Sequence, residues 1–153
     1  MSFTSLFTSA SGLSAQRLRL DVIANNLANV DTTHRSDGQS GPYRRQHVTL
    51  EPRNNPIRFN LPFVEGSDPV TQAPGKGVIV GAVSESRGPI PEKYLRYEPG
   101  HPDARPDGYV EMPDVDIAVE MVDMIDASRA YEANVTAIRD FRSMYSEALK
   151  ILA

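Results

Sequence analysis

Residues 114–153 read DVDIAVEMVDMIDASRAYEANVTAIRDFRSMYSEALKILA, and this stretch decides the fold because it contains neither proline nor glycine. Steps of four and three from Ile117 reach eleven positions, of which nine are apolar or aromatic. Such spacing puts apolar side chains on one face of a helix. We therefore predict one amphipathic helix of about 36 residues, which is ~54 Å long. Asp114 and Asp116 are candidate N-caps.

The positions of proline and glycine divide the chain into three parts. All twelve prolines lie between Pro42 and Pro113, and nine of the ten glycines lie between Gly38 and Gly108. Inside a helix, proline costs about 3 kcal/mol and glycine about 1 kcal/mol relative to alanine. We therefore predict a mainly α protein in which residues 1–33 and 112–153 form a helical core. Residues 34–111 are predicted to be an extended, partly β insert.

The first helical segment has a leucine at every seventh position, as a coiled-coil seam does. Arg17 interrupts the stripe, and Asp31 begins a turn-like stretch, so this helix is predicted to end near Val30. We expect the terminal helices to pair as a coiled-coil-like bundle. Alternatively, ordinary packing of the two helices within one chain covers part of the two apolar stripes. The apolar surface that remains uncovered then predicts contacts with partner proteins. The repeated leucines are Leu6, Leu13, Leu20 and Leu27.

The middle of the chain contains short segments that favour β-structure. Residues 43–50 alternate loosely and are rich in strand formers, and residues 78–83 are an apolar, largely β-branched run. Residues 94–97 and 109–111 are shorter candidates. Clusters of proline and glycine separate these segments, so the insert is predicted to lack a large core of its own.

Composition excludes several classes of protein. The chain has no cysteine and a formal charge of −4, which argues against disulfides and against coating nucleic acid. No apolar run approaches the ~20 residues of a membrane-spanning helix. The first fifteen residues contain no Lys or Arg, unlike a cleaved secretory signal. We expect the chain to stay in the cytoplasm or to leave without such a signal.

The residues that could form a phosphate-binding, metal or catalytic site have simpler structural explanations. Residues 75–81, GKGVIVG, resemble a phosphate loop, but a β-branched run follows the glycines where a helix should begin. None of the three histidines is paired at metal-ligand spacing. We therefore predict no catalytic, cofactor or metal site and no small-molecule substrate. A small hydrolase or metal enzyme that uses His47 or His101 is the less favoured alternative.

Three asparagines near the end of the first helix allow two interpretations. Asparagine is a mediocre helix former, because its amide competes for backbone hydrogen bonds. Asn25, Asn26 and Asn29 therefore fit a fraying helix end. Their amides also fit polar contacts with a neighbouring subunit, and the sequence does not decide between the two.

The two ends of the chain resemble a known family. Residues 13–32, LSAQRLRLDVIANNLANVDT, resemble the N-terminal signature of bacterial flagellar axial proteins, most specifically at residues 24–29. Residues 108–116, GYVEMPDVD, with 120–125, EMVDMI, and 127–134, ASRAYEAN, are similar to the flagellar basal-body rod protein C family of proximal-rod subunits. GPYRR at 41–45 and YEPGHPD at 97–103 also look like that family.

This resemblance implies a structural subunit with no catalytic activity. Members are exported through the flagellar type III apparatus without a cleaved signal and reach the rod in the periplasmic space. Their terminal helices pair and stack helically into a tube. The implied partners are copies of the chain, other rod subunits, and basal-body ring or export-gate adaptor proteins.

Apolar and amide side chains of both helices are the predicted assembly interface. A coiled-coil component of another type III secretion assembly is the alternative, since it shares the helix–insert–helix plan. The predicted interface residues are Leu6, Leu13, Leu20, Asn25, Asn26, Leu27, Asn29, Met121, Met124, Ile125, Tyr131, Asn134, Val135, Ile138 and Tyr145.

Overall fold

The computed structural model describes residues 3–35, 41–53 and 77–152. Two long helices enclose the insert in the described part of the chain, as the distribution of proline and glycine predicts. Helix α1 spans Phe3–Ala28 and helix α2 spans Ile117–Leu152. The described residues between them form four short strands: β1 (Gln46–Pro52), β2 (Val78–Glu85), β3 (Leu95–Tyr97) and β4 (Tyr109–Glu111).

The ends of both helices are defined by side chains that the sequence offers. The Asp116 carboxylate accepts hydrogen bonds from the backbone N–H groups of Ala118 and Val119, at 3.0 and 3.4 Å, and so caps the start of α2. At the end of α1, the Asn29 amide donates to the backbone oxygen of Asn25 at 2.9 Å. The same oxygen also accepts the Asn29 backbone N–H at 3.2 Å, so the backbone and the side chain of Asn29 both close the end of α1.

The helices run antiparallel and pack through small, β-branched and polar side chains. Ala15, Val22, Ile23 and Ala127 are buried. A Cβ atom on Gly12 would lie only 3.0 Å from the Asn134 side-chain oxygen, so α2 crosses α1 closely at this glycine. Farther along, residues 142–150 of α2 are all exposed.

Strands β1 and β2 form an antiparallel ribbon that lies against α1. The ribbon bulges at Gly81, because Thr49 pairs with Ala82 while Leu50 pairs with Val80. The backbone N–H of Val78 donates to the Ser11 hydroxyl at 3.0 Å, and this bond ties the ribbon to the helix. Residues 75 and 76 lie outside the described residues. A strand begins at residue 78, as predicted for the run after the glycines.

Strands β3 and β4 form a second antiparallel pair, which precedes α2 in the chain. Tyr97 and Tyr109 meet edge to face, with ring centroids 5.2 Å apart. Val110, Pro113 and Val115 are buried where this pair leads into α2. Neither described helix is long and apolar enough to cross a membrane.

Replacing Gly12 by leucine is expected to lower the thermal unfolding midpoint of the purified chain, because the added side chain would meet Asn134. Overpacking of this kind costs about 1–3 kcal/mol. Ala10→Leu is the matched control, since Ala10 is exposed on the same helix. Circular dichroism would measure both midpoints. Equal midpoints for the two variants would contradict a close crossing at Gly12.

Candidate functional site

The Asn26 side chain joins three elements of the fold. It is 1% exposed. Its amide nitrogen donates to the backbone oxygen of Gln46 at 2.8 Å and to the Glu120 carboxylate at 3.1 Å. Its amide oxygen accepts from the Gln46 N–H at 2.9 Å and from the Tyr43 hydroxyl at 2.8 Å. All the hydrogen-bonding capacity of the amide is therefore used to hold α1, β1 and α2 together.

Glu120 is the buried charge at the centre of this contact. It is 1% exposed, and its second carboxylate oxygen accepts from Nε of Arg45 at 2.6 Å. Arg45 also lies 3.4 Å from Asp123, which pairs with Arg19 of α1 at 2.9 Å. A buried carboxylate is tolerated only when it is paired and fully hydrogen-bonded. We call Asn26, Glu120, Arg45, Asp123 and Arg19 the polar junction.

Two further side chains extend the polar junction. Burial, followed by the charges of Glu85 and Glu120, raises the pKa of the Tyr43 hydroxyl. Tyr43 therefore stays a neutral donor to Asn26 at physiological pH. Burial alone would raise the pKa of the Asp114 carboxyl, but hydrogen bonds from Ser86 and from the Arg45 backbone outweigh it and lower that pKa. Asp114 thus fastens β1 to the start of α2 as a carboxylate.

A cleft of about 290 Å³ lies beside the junction between α1, β1 and α2. Its charged walls are Arg19, Arg45, Glu120 and Asp123, which already pair with one another. The described residues contain no group of three His, Asp or Glu side chains that could hold a metal ion. His47 lines the cleft. The arrangement is suited to holding the helices in place.

His101 lies in a turn, as the sequence predicts for the His-Pro-Asp stretch. Its Nδ1 atom accepts a hydrogen bond from the Asp103 backbone N–H at 3.1 Å. The Asp103 carboxylate in turn accepts from the Thr33 hydroxyl at 2.9 Å. These contacts connect the turn to the segment that follows α1.

The predicted interface residues fall into three groups in the single chain. Asn26 is buried inside it. Another set is partly covered: Leu6, Leu13, Leu20, Leu27, Asn29, Met124, Asn134, Val135 and Ile138. A third set is exposed: Asn25, Met121, Ile125, Tyr131 and Tyr145. Contacts with a neighbour are not visible in one chain, so their role in assembly stays a prediction.

Sequence reasoning did not identify Glu120, Arg45, Arg19, Asp123 or Tyr43 as members of one cluster. The sequence did contain one indication of this cluster, in the side chains of α2 that face α1. Glu120, Ala127 and Asn134 recur every seven residues and contain no large apolar side chain. A polar residue repeated at the seam spacing indicates a specific buried contact.

The side of α2 away from α1 is apolar and exposed. Four large side chains lie there close together, at 49–59% exposure: Ile117, Met121, Val122 and Ile125. Large exposed apolar patches on a soluble protein mark interaction sites. We call these four residues the outer face of α2.

Both ends of the chain match flagellar rod families, and nearly the whole chain is similar to individual rod proteins. The family described as flagella basal body rod protein matches residues 6–33, and the one described as flagellar basal body rod FlgEFG protein C-terminal matches residues 107–151. Flagellar basal-body rod protein FlgC of Borreliella burgdorferi is 46% identical over 98% of this chain and 97% of its own length. The FlgC proteins of Bacillus subtilis and Salmonella typhimurium are each 41% identical, over 97% and 92% of this chain and 97% and 90% of their own lengths.

Asn26→Ala is expected to lower the free energy of unfolding by about 2 kcal/mol or more, because it leaves buried partners on β1 and α2 without a hydrogen bond. Asn25→Ala is the matched control, since it makes the same chemical change at the neighbouring residue, which is exposed. Urea denaturation would measure both values. A similar loss in the two variants would contradict the central role of Asn26.

Asp114→Asn is expected to destabilise the chain at neutral pH and to matter less in acid. A carboxyl whose pKa is lowered on folding stabilises the fold above its unfolded pKa, and this contribution is lost as the pH falls through the folded pKa. The ordinary pKa of an aspartate carboxyl is 3.8. The difference in stability between the variant and the wild type should therefore shrink below about pH 4. The midpoints of urea denaturation of both proteins, determined between pH 7 and pH 3, would measure this difference. A difference that does not depend on pH would contradict the assignment.

Proposed function

The chain belongs to the flagellar basal-body rod protein FlgC family, and we propose that it works in the rod by burying its exposed apolar helix surface against neighbouring subunits. It is a structural subunit of the bacterial flagellar rod. The single observation that supports this mode of action is the outer face of α2, where four large apolar side chains are about half exposed. A rod subunit that met no neighbours would have no reason to keep this surface apolar.

The physics of helix stability supports the same proposal. Isolated helices are marginal in water, and packing of an apolar face supplies most of their stability. Residues 142–150 of α2 are exposed throughout the single chain, so most of the surface at this end of the helix stays open to a neighbour. Burial contributes roughly 25 cal/mol per Å² and can offset the entropy lost on ordering. In the assembled rod, we propose, the terminal helices form a coiled-coil-like bundle with those of neighbouring subunits.

The remaining features follow from this role. Residues 1–33 and 112–153 form the axial core and residues 34–111 the insert. The subunit lies in the proximal rod in the periplasmic space and is exported unfolded, without a cleaved signal, which suits a chain that contains no cysteine. Its partners are copies of itself, other rod subunits, and adaptor proteins of the ring or export gate. It is not an enzyme, since its relatives are named as rod proteins and the junction charges pair with one another.

The family match favours the rod over a component of another secretion assembly. FlgC relatives cover nearly the whole chain and not only the helical ends. The alternative hydrolase or metal enzyme has no supporting observation among the described residues.

Leu20→Asp combined with Ile138→Asp is expected to abolish swimming, because each change puts a charge on a partly covered apolar position of the helices. Basal bodies purified from these cells should lack the subunit by immunoblot, whereas wild-type basal bodies should contain it. Ile79→Asp with Val83→Asp is the matched control, since it changes two exposed apolar residues of β2 and should leave more motility. Circular dichroism of the purified variants separates misfolding from failed assembly. Wild-type swimming by the helix variant would contradict the proposal.

A further inference from the structure

The side of α1 that faces away from α2 forms a regular, exposed stripe. Its members are spaced by four and three residues, so they share one face of the helix. Most are small, which would let another helix approach closely. We call this set the outer stripe of α1: Ala10, Ser14, Arg17, Asp21, Ala24 and Ala28, all of which are exposed.

The outer face of α2 has the opposite character. Its side chains are large, and the helix continues beyond them with Arg129 and then Glu132, both exposed on the same side of α2. Within the described residues, no ion pair is formed by the exposed charges of α1 (Arg17 and Asp21) or of α2 (Arg129 and Glu132). Each helix thus presents one positive and one negative side chain about one turn apart.

We propose that the outer face of α2 packs antiparallel on the outer stripe of α1 in a second copy of the chain. In this register Arg17 lies opposite Glu132, and Asp21 lies opposite Arg129. The same alignment places the small Ala24 opposite the large Ile125. The inference rests on the proposed rod function and specifies which surfaces meet.

In this register the facing side chains of α1 and α2 match both in charge and in size. From Arg17 to Ala24 the chain advances seven residues along α1, and from Glu132 to Ile125 it goes back seven along α2. The next turn brings Ala28 opposite Met121. Complementary charges select register and orientation, while burial of apolar side chains supplies the affinity. The match of both properties on surfaces of one chain identifies a second copy as the occupant.

The antiparallel orientation follows from the packing within the subunit. Contacts of Gly12 with Asn134 and of Asn26 with Glu120 show that α1 and α2 run in opposite directions. Subunits that point the same way along a rod therefore present α1 and α2 to each other in opposite directions as well. Because the two surfaces differ, the contact is heterologous and repeats into an open helical array instead of closing as a dimer.

Disulfide trapping tests the register directly, since the natural chain has no cysteine. Ala24→Cys combined with Ile125→Cys should give a ladder of covalent multimers when isolated basal bodies are oxidised. Ala24→Cys with Ser143→Cys is the matched control, because Ser143 is exposed on the same side of α2 but about 27 Å farther along at 1.5 Å per residue. It should give monomer only.

Charge exchange provides a second test that does not depend on oxidation. Arg17→Glu should reduce swimming, and Arg17→Glu with Glu132→Arg should restore it, because the pair forms again with reversed signs. Arg87→Glu, an exposed change in the insert, should have little effect. Failure of the double variant to swim better than Arg17→Glu would overturn the pairing.

The outcomes separate this inference from the rod function. If cells that carry the cysteine pair swim and their basal bodies contain the subunit, but no ladder forms, the register is wrong and the rod function stands. A ladder that contains a different rod subunit by mass spectrometry would overturn the second copy as occupant. Absence of the wild-type chain from basal bodies would overturn the rod function itself.

Discussion

The hydrogen bond between the buried amide of Asn26 and the buried carboxylate of Glu120 is the contact on which the rest of the subunit depends. It joins residues that are 94 positions apart and brings the two helices into register, and the same amide fixes β1 through Gln46. Because Glu120 also pairs with Arg45, loss of Asn26 or of Arg45 would leave the buried carboxylate without one of its partners. The junction specifies one arrangement of α1, β1 and α2.

This way of joining the helices leaves several large apolar side chains of α2 exposed. The row of α2 that faces α1 contains Glu120, Ala127 and Asn134, whereas Met121 and Ile125 point away. Small and polar side chains of α2 face α1 within the subunit, and large apolar side chains on its other side remain available for neighbours. A rod protein needs both properties, because it must take one shape as a subunit and still be completed by assembly.

The sequence predicted the elements of the fold well, because local rules govern them. Proline and glycine confined the helices to the two ends, and the β-branched runs marked the strands, with Asp116 serving as the cap of α2. The choice of buried face was not predictable in the same way. Periodicity finds an apolar stripe, but it does not tell whether the stripe is covered by the same chain or by another one. Asn26 was recognised as unusual, yet its partners Gln46 and Glu120 come together only in the folded chain.

Hydrogen–deuterium exchange, compared between the purified chain and isolated basal bodies, tests the central claim most directly. Backbone amides near Asn26 and Glu120 should be protected in the single chain, because the polar junction already forms there. Amides of residues 142–150 should exchange freely in the single chain and become protected only in the rod. Uniform protection of α2 in the single chain, or exchange around Asn26 as fast as at residues 142–150, would contradict the account.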